Sequence, residues 1–297
     1  MGGGSFSSSA FRTYSTTRGY DRAKNAQQIY KASGLDPEFD PRNFRYRESV
    51  DGPDNPESTP VIIGLDVTGS MGPVLLAMAK EGLRDACQGI YDGKPISNPH
   101  ICTLGIGDVE YDRAPFQATQ FEADIRIFEQ LERLFLEKGG GGNSYESYIL
   151  AWYFAKYRTV TDSFKKRGRK GFIFTLGDEQ CTPGIPQYAF DKFFGDSKQG
   201  YMSAEQLFQE ASAEWDIYHM VIKQGSHIGG LSSRYEIVRK SWSAVIGEQR
   251  VIGLNDYAQA GKKMVEVMSK EAATFTGTYS APVVGGNPIR PINPFED

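Results

Sequence analysis

Asp66, Thr68 and Ser70 stand at alternate positions after the apolar run "VIIGL", and Asp178 and Glu179 end a second apolar run, "FIFTLG". Carboxylates and hydroxyls offer only oxygen. Gathered in one place, they form an all-oxygen cluster that suits a hard cation, chiefly Mg2+ or Mn2+, with Ca2+ as a further candidate. A turn running from strand into helix can point Asp66, Thr68 and Ser70 inward together. The helix that follows, with Pro73 in its first turn, aims its positive end at this spot. Neutral hydroxyls alone would not hold a divalent ion there, so the carboxylates are required. The same residues also suit two other roles, a helix cap or a Mg-dependent phosphatase or hydrolase with Asp66 as nucleophile. An aspartyl phosphatase of this topology needs a second Asp two residues on. Thr68 stands there and does not titrate near neutrality, which weighs against an enzyme.

Secondary candidates surround this set. Asp108, in "GIGDVEYD", ends another strand and is a candidate ligand or a support behind the ligands. Glu179 reads as a solvated neighbour of Asp178. The glycines 139–142 precede a helix but no Lys-Ser/Thr follows, so they read as a loop bordering the metal site and not as a nucleotide cradle. "KKRGRK", residues 165–170, reads as a solvated turn. The three histidines, His100, His219 and His227, show no zinc spacing. Cys181 has no histidine near it in sequence and reads as an inert thiol. The aromatic residues of "SYILAWYFAKY" recur at helical spacing and read as core.

The elements that must position these residues alternate in type. Strands are expected at Val61–Asp66, "HICTLGIGDVE", "PFQATQFEA", "KGFIFTLGDE", "WDIYHMVIKQ" and "QRVIGL". Helices are expected over "PVLLAMAKEGLRDACQGIY", "DIRIFEQLERLFLEK" (entered at Asp124, left at Gly139), "SYESYILAWYFAKY", Ala204–Glu214, "RYEIVRKSWSAVI" and "DYAQAGKKMVEVMSKEAATF". This alternation implies an α/β, doubly wound, mostly parallel six-stranded sheet with helices on both faces. In such sheets the working site lies beyond the carboxyl ends of the strands, at a topological switch point. Residues 1–58 read as an N-terminal extension and linker, partly disordered, with one helix over "DRAKNAQQIYKASG". Residues 59–275 form the domain, and 276–297 a Pro/Gly-rich tail.

The run Asp66-Val67-Thr68-Gly69-Ser70 resembles the metal-ion-dependent adhesion site of von Willebrand factor type A domains, whose usual form is Asp-x-Ser-x-Ser. The family's second element, a Gly-rich loop supplying a Thr, is similar to "GGGGNSYES", where Asn143, Ser144 or Glu146 would take the Thr's part. Its third element, an Asp after the fourth strand, matches Asp178 in "FTLGDEQCTPG". The stretch from "GIGDVEYD" to "GGGGNSYES" also resembles a subgroup of these domains from bacteria and their phages. The resemblance implies a Rossmann-like fold and a bound Mg2+ that captures an Asp or Glu of a partner protein. It also implies the partner class of a ring-forming ATPase, with an RNA-associated role as an alternative.

Composition narrows the setting. The 297 residues carry a net charge of −4 with acids and bases well mixed, so no global field points to nucleic acid or a membrane. Three cysteines, far apart and odd in number, fit a reducing compartment. No basic and apolar leader opens the chain, and no long apolar run spans it, so a cytoplasmic protein is expected.

Overall fold

Eight consecutive residues, Thr59–Asp66 (β1), are all buried, because this strand lies at the centre of the sheet and is covered on both faces. The structure, a computed structural model, describes residues 4–137 and 143–274, apart from the side chains of Ser70 and Thr274. Five further strands join β1: Pro99–Ile106 (β2), Phe116–Ala118 (β3), Gly171–Gly177 (β4), Trp215–Ile222 (β5) and Val251–Leu254 (β6). Their order is β6-β5-β4-β1-β2-β3, and only β3 runs antiparallel, against β2. The doubly wound, six-stranded α/β fold is therefore present as the alternating pattern implies. The order reverses between β1 and β4, so the ends carrying Asp66 and Asp178 flank the switch point.

Period-two alternation sends successive residues of each strand to different cores. Val61, Ile63 and Leu65 face one core with Phe172, Phe174 and Leu176, under the helices Leu83–Gly93 and Ala260–Thr274. Ile62, Ile173 and Ile217 face the other, under the helices Leu150–Tyr157, Ala204–Ser212 and Ser232–Ile246. By the same parity Asp66 falls on the second side, where Leu150–Tyr157 and its lead-in lie.

Several expected elements are placed differently. The N-terminal helix spans Ser8–Arg18, not "DRAKNAQQIYKASG", because Ser7 caps its start and Gly19, at φ 77°, closes its end. Within the expected span only Ala26–Gln28 makes a 3-10 turn, held by the Asn25 side chain. Nor is the extension set apart from the domain. Phe6, Phe11, Tyr20, Ile29, Tyr30 and Phe39 enter the first core, and Arg47–Ser49 pairs in parallel with Thr159–Thr161. A segment too poor in apolar residues to build its own core completes another. The helix expected from Asp124 to Gly139 covers only Arg126–Leu131. Beyond it the Gln117 amide captures the backbone of Phe135 on both sides, at 2.8 Å each, and holds the chain extended; Gly139 lies outside the described residues. The next helix starts at Leu150, since Tyr145–Glu146 pairs instead with Gln180–Cys181. A helix at Gln187–Phe194 had no counterpart in the sequence reading.

The basic run 165–170 is tied down. Arg167 forks onto Asp51 at 2.7 and 3.1 Å, Arg169 reaches Ser97 and Pro95, and Lys170 reaches the Ser212 carbonyl. None of the described helices is long and apolar enough to cross a membrane. The tail 276–297 lies outside the described residues.

The Phe11 ring sits 4.5 Å, centroid to centroid, from Phe128 and is fully buried. Phe11→Ala should therefore lower unfolding stability by about 3 kcal/mol, the usual cost of emptying a buried aromatic site. Equilibrium urea denaturation measures it, and a loss below about 1 kcal/mol would show that the extension is not part of the domain's core.

Candidate metal centre

Asp66 ends β1 level with Gly177 of β4, since Leu65 pairs with Leu176. Both of its oxygens are engaged. Oδ1 accepts from the Thr68 amide at 2.9 Å and the Thr68 hydroxyl at 2.5 Å, and Oδ2 accepts from the Tyr148 hydroxyl at 2.7 Å. Burial is almost complete, and it pushes this carboxyl up to about 7 despite those three donors, with Asp178 adding to the rise. Thr68 is buried beside it and opens the turn Gly69–Met71. Ser70 falls in that turn, and its side chain lies outside the described residues.

Asp178 follows β4 directly and is fully buried. Its Oδ2 accepts from the His227 amide at 2.8 Å, while Oδ1 has no hydrogen-bond partner. The loop that reaches it must come close: a Cβ on Gly225 would stand 2.2 Å from Asp178 Oδ2. Burial raises the Asp178 carboxyl, against the pull of the His227 amide and ring.

The short parallel pairing of Tyr145–Glu146 with Gln180–Cys181 brings the exit of the Gly-rich loop beside Asp178 and Glu179. Here the three candidates for the loop's contribution separate. Asn143 donates to Asp108 at 2.7 Å, and Ser144 offers its carbonyl to the Gln180 amide. Glu146 is buried, and its Oε2 has no partner. Burial, then the charges of Asp66, Glu179, Asp112 and Asp108, push the Glu146 carboxyl up to about 11. Glu179 is raised to about 8 by burial and then by Asp66, Asp178 and Asp108, and its Oε2 is also unpartnered. It is more enclosed than a solvated neighbour would be, with the His227 ring 3.8 Å away.

Asp108 serves the loops. Its carboxylate accepts from Asn143 and from the Glu110 amide at 2.9 Å, and its own amide donates to Asp112 at 2.7 Å. Asp112 is raised to about 6 by burial. Glu137, at the entry to the Gly-rich loop, donates its amide to the Val67 carbonyl and accepts from the amides of Arg113 and Ala114. Sequence reasoning passed over Tyr148, Glu137 and the 225–227 loop. Tyr148 was hidden by its helical spacing with the aromatic core. Gly225 and His227 offered no pattern at all.

Whether these residues suit a cation turns on their unpartnered atoms. Asp178 Oδ1, Glu146 Oε2 and Glu179 Oε2 are buried carboxylate oxygens without a donor, which is costly unless a proton or a cation meets them. No Lys or Arg is among the leading influences on Asp66, Glu146 or Glu179. The donors are all oxygen, as Mg2+ or Mn2+ prefers. Among the described residues no three His, Cys, Asp or Glu side chains close around a single point as they stand, so hydroxyl or water oxygens must complete any coordination sphere. With that addition the residues fit a hard divalent ion. Asp178 and Glu146 would supply carboxylate oxygens and Thr68 a hydroxyl, with Asp66 holding that hydroxyl by accepting its proton.

No protein-family model matches the chain, and no curated protein matches it. Among solved structures it is similar to the pilus adhesin SpaC from Lactobacillus rhamnosus GG in its open conformation, with 10% identity over 73% of this chain and a TM-score of 0.46. The match spans 30% of the adhesin's length. It is also similar to the conserved hypothetical protein BatB from Bacteroides thetaiotaomicron, at 13% identity over 73% of this chain and all of that one, TM-score 0.44. A third similarity is to the ArnB paralog VWA2 from Sulfolobus acidocaldarius, at 12% identity over 70% of this chain and 44% of that one, TM-score 0.37. All three TM-scores lie below 0.5, and none of these proteins lends this chain a ligand, a partner or a site residue.

Proposed function

We propose that the chain is a von Willebrand factor type A module in which a divalent cation, Mg2+ or Mn2+, mediates binding to a protein partner. The observation that carries this reading is the set of three buried, unpartnered carboxylate oxygens on Asp178, Glu146 and Glu179 at the switch point, where the nearest basic group is the His227 ring, 3.8 Å from Glu179. The ion seats between those acids and the Thr68 hydroxyl, and Ser70 is the further ligand that the sequence motif offers. A coordination position left to water accepts an Asp or Glu side chain of the partner. A charge-assisted contact of that kind gives direction and specificity, and the surrounding loops supply area. The exposed Tyr111 lies on one of these loops and the exposed Tyr188 opens the helix Gln187–Phe194, and tyrosines recur at the energetic centres of interfaces. The module has no catalytic step. Thr68 stands where an aspartyl phosphatase needs its general acid, and a threonine hydroxyl does not titrate near neutrality, which supports a binding role. Three free, buried cysteines agree with a reducing, cytoplasmic setting.

A ligand that binds only the folded state raises its stability by about 2.7 kcal/mol at a hundredfold excess over Kd. Mn2+ or Mg2+ should raise the thermal midpoint of the parent chain and leave Asp66→Ala unmoved. Identical responses in the two would remove the cation site from this position. For the partner, a pull-down with and without Mg2+ should lose the same bands in the metal-free and Asp66→Ala lanes.

Proton linkage gives a second test. Asp66 at about 7, Glu179 at about 8 and Glu146 at about 11 all lie above the ~4 of carboxyls in an unfolded chain. Between those limits the folded chain keeps protons that the unfolded chain has released, so stability in chelator falls as pH rises. Asp51, held below the ordinary range by Arg167 and Ser58 in spite of its partial burial, and His100 and His219, whose rings burial holds below the ordinary imidazole range, act in the opposite sense, but only below about pH 6.5. A divalent ion replaces the protons, so its affinity rises over the same interval. Thermal midpoints in chelator should drop from about pH 6.5 to pH 8, above the range in which the buried histidines act, and saturating Mn2+ should remove most of the drop. A flat or rising profile in chelator would count against the buried acids as its source.

A further inference from the structure

Tyr148 lies outside the donor set described above, yet more of the site's geometry runs through it than through any other aromatic residue near Asp66. It is fully buried, its hydroxyl donates to Asp66 Oδ2 at 2.7 Å, and its ring packs 5.2 Å from His219 and 5.8 Å from Trp242. Its hydroxyl fits over β4 only because residue 177 is glycine: a Cβ there would stand 2.0 Å from Oη. The rings behind it are held in turn. His219 stacks on Trp242 at 3.6 Å and bonds Thr175 at 2.8 Å, and the Trp242 indole donates to the Glu179 carbonyl at 3.0 Å.

We propose that Tyr148 is the positioning residue of the cation site, fixing the Asp66 carboxylate so that Asp66 in turn orients the Thr68 hydroxyl toward the ion. This rests on the cation reading above and extends it to a residue beyond the ligands. Three donors, two from Thr68 and one from Tyr148, set the plane of the carboxylate. A hydroxyl that gives its proton to Asp66 turns its lone pairs away from that carboxylate. Removing the Tyr148 donor leaves Oδ2 buried without a partner and the carboxylate free to turn, which misdirects Thr68. Groups that orient metal ligands in this way are worth roughly 10- to 100-fold in metal affinity.

The test compares Mn2+ binding to the parent, Tyr148→Phe and Gly177→Ala by titration calorimetry, with thermal unfolding in chelator alongside. Tyr148→Phe should weaken Mn2+ binding roughly 10- to 100-fold while its midpoint in chelator stays within about 4 °C of the parent's, the scale of one lost hydrogen bond in a chain of this size. Gly177→Ala reaches the same contact from the strand side, displacing the hydroxyl, and should weaken Mn2+ binding in the same direction. Parent-like affinity in either variant overturns the proposal. So does a Tyr148→Phe chain that fails to fold in chelator, because the hydroxyl would then serve the core. A parent chain that does not bind Mn2+ removes the proposed function and this inference with it, whereas a binding parent with an unaffected Tyr148→Phe removes this inference alone.

Discussion

Burying four carboxylates with no Lys or Arg among the leading influences on Asp66, Glu146, Asp178 or Glu179 is the constraint on which the rest of this site depends. Asp66 and Asp178 are carried into the interior by strands that are themselves fully buried, and Glu146 and Glu179 arrive beside them through a short strand pairing. Each ionised oxygen in such a place must find a donor or a cation. The fold answers with what it has. Thr68 and Tyr148 supply donors to Asp66, and the His227 amide supplies one to Asp178. The Ile228 amide and Asp178's own amide add a weaker pull, and one oxygen on each of Asp178, Glu146 and Glu179 still has no hydrogen-bond partner. An incomplete set of partners at a sheet's switch point is a stronger sign of an intended ligand than any of these acids taken singly.

Close approach, and not side-chain chemistry, decides which loops can reach the acids. Gly225 lets the loop after β5 lay its backbone against Asp178, and Gly177 lets a tyrosine lie flat over the end of β4. At both places a methyl group would fall well inside contact distance, so these glycines are fixed by space rather than by turn geometry. Their consequence is electrostatic. They bring the His227 amide and the Tyr148 hydroxyl within hydrogen-bonding distance of carboxylates that no longer meet water.

The parts of this arrangement that were legible in the sequence are those with local causes. Buried parallel strands need unbroken apolar runs, so "VIIGL" and "FIFTLG" announce β1 and β4, and the parallel fold brings Asp66 and Asp178 to one edge. Spacing cannot show which donor a side chain meets across the fold. Tyr148 has the same periodicity as Trp152 and reads as core, and it is core; its hydroxyl finds Asp66 only because position 177 lacks a side chain. The helices expected through Gly139 and from Ser144 failed for a similar reason. The Gln117 amide and the strand pairing of Glu146 offered their backbones partners better placed than a helix would. The N-terminal segment misled through composition, since the eight residues it buries in the first core are too few for a separate core but enough to complete an existing one.

The two cores divide the work. The first, which takes in the N-terminal extension through Phe11 and Tyr30, meets the face of the sheet that Asp66 does not. The second contains Tyr148, Trp152 and Trp242 and ends directly at the site. Close-packed interiors shift between discrete arrangements and do not yield by small degrees. The stack of His219 on Trp242 therefore fixes Tyr148, and the indole bond to the Glu179 carbonyl ties the same stack to the other side of the site. Helix Ser232–Ile246, which carries Trp242, is thus held to both flanks of the acid cluster, to Asp66 by way of Tyr148 and to Glu179 directly. A change in how the acids are partnered has a short, rigid path to that helix.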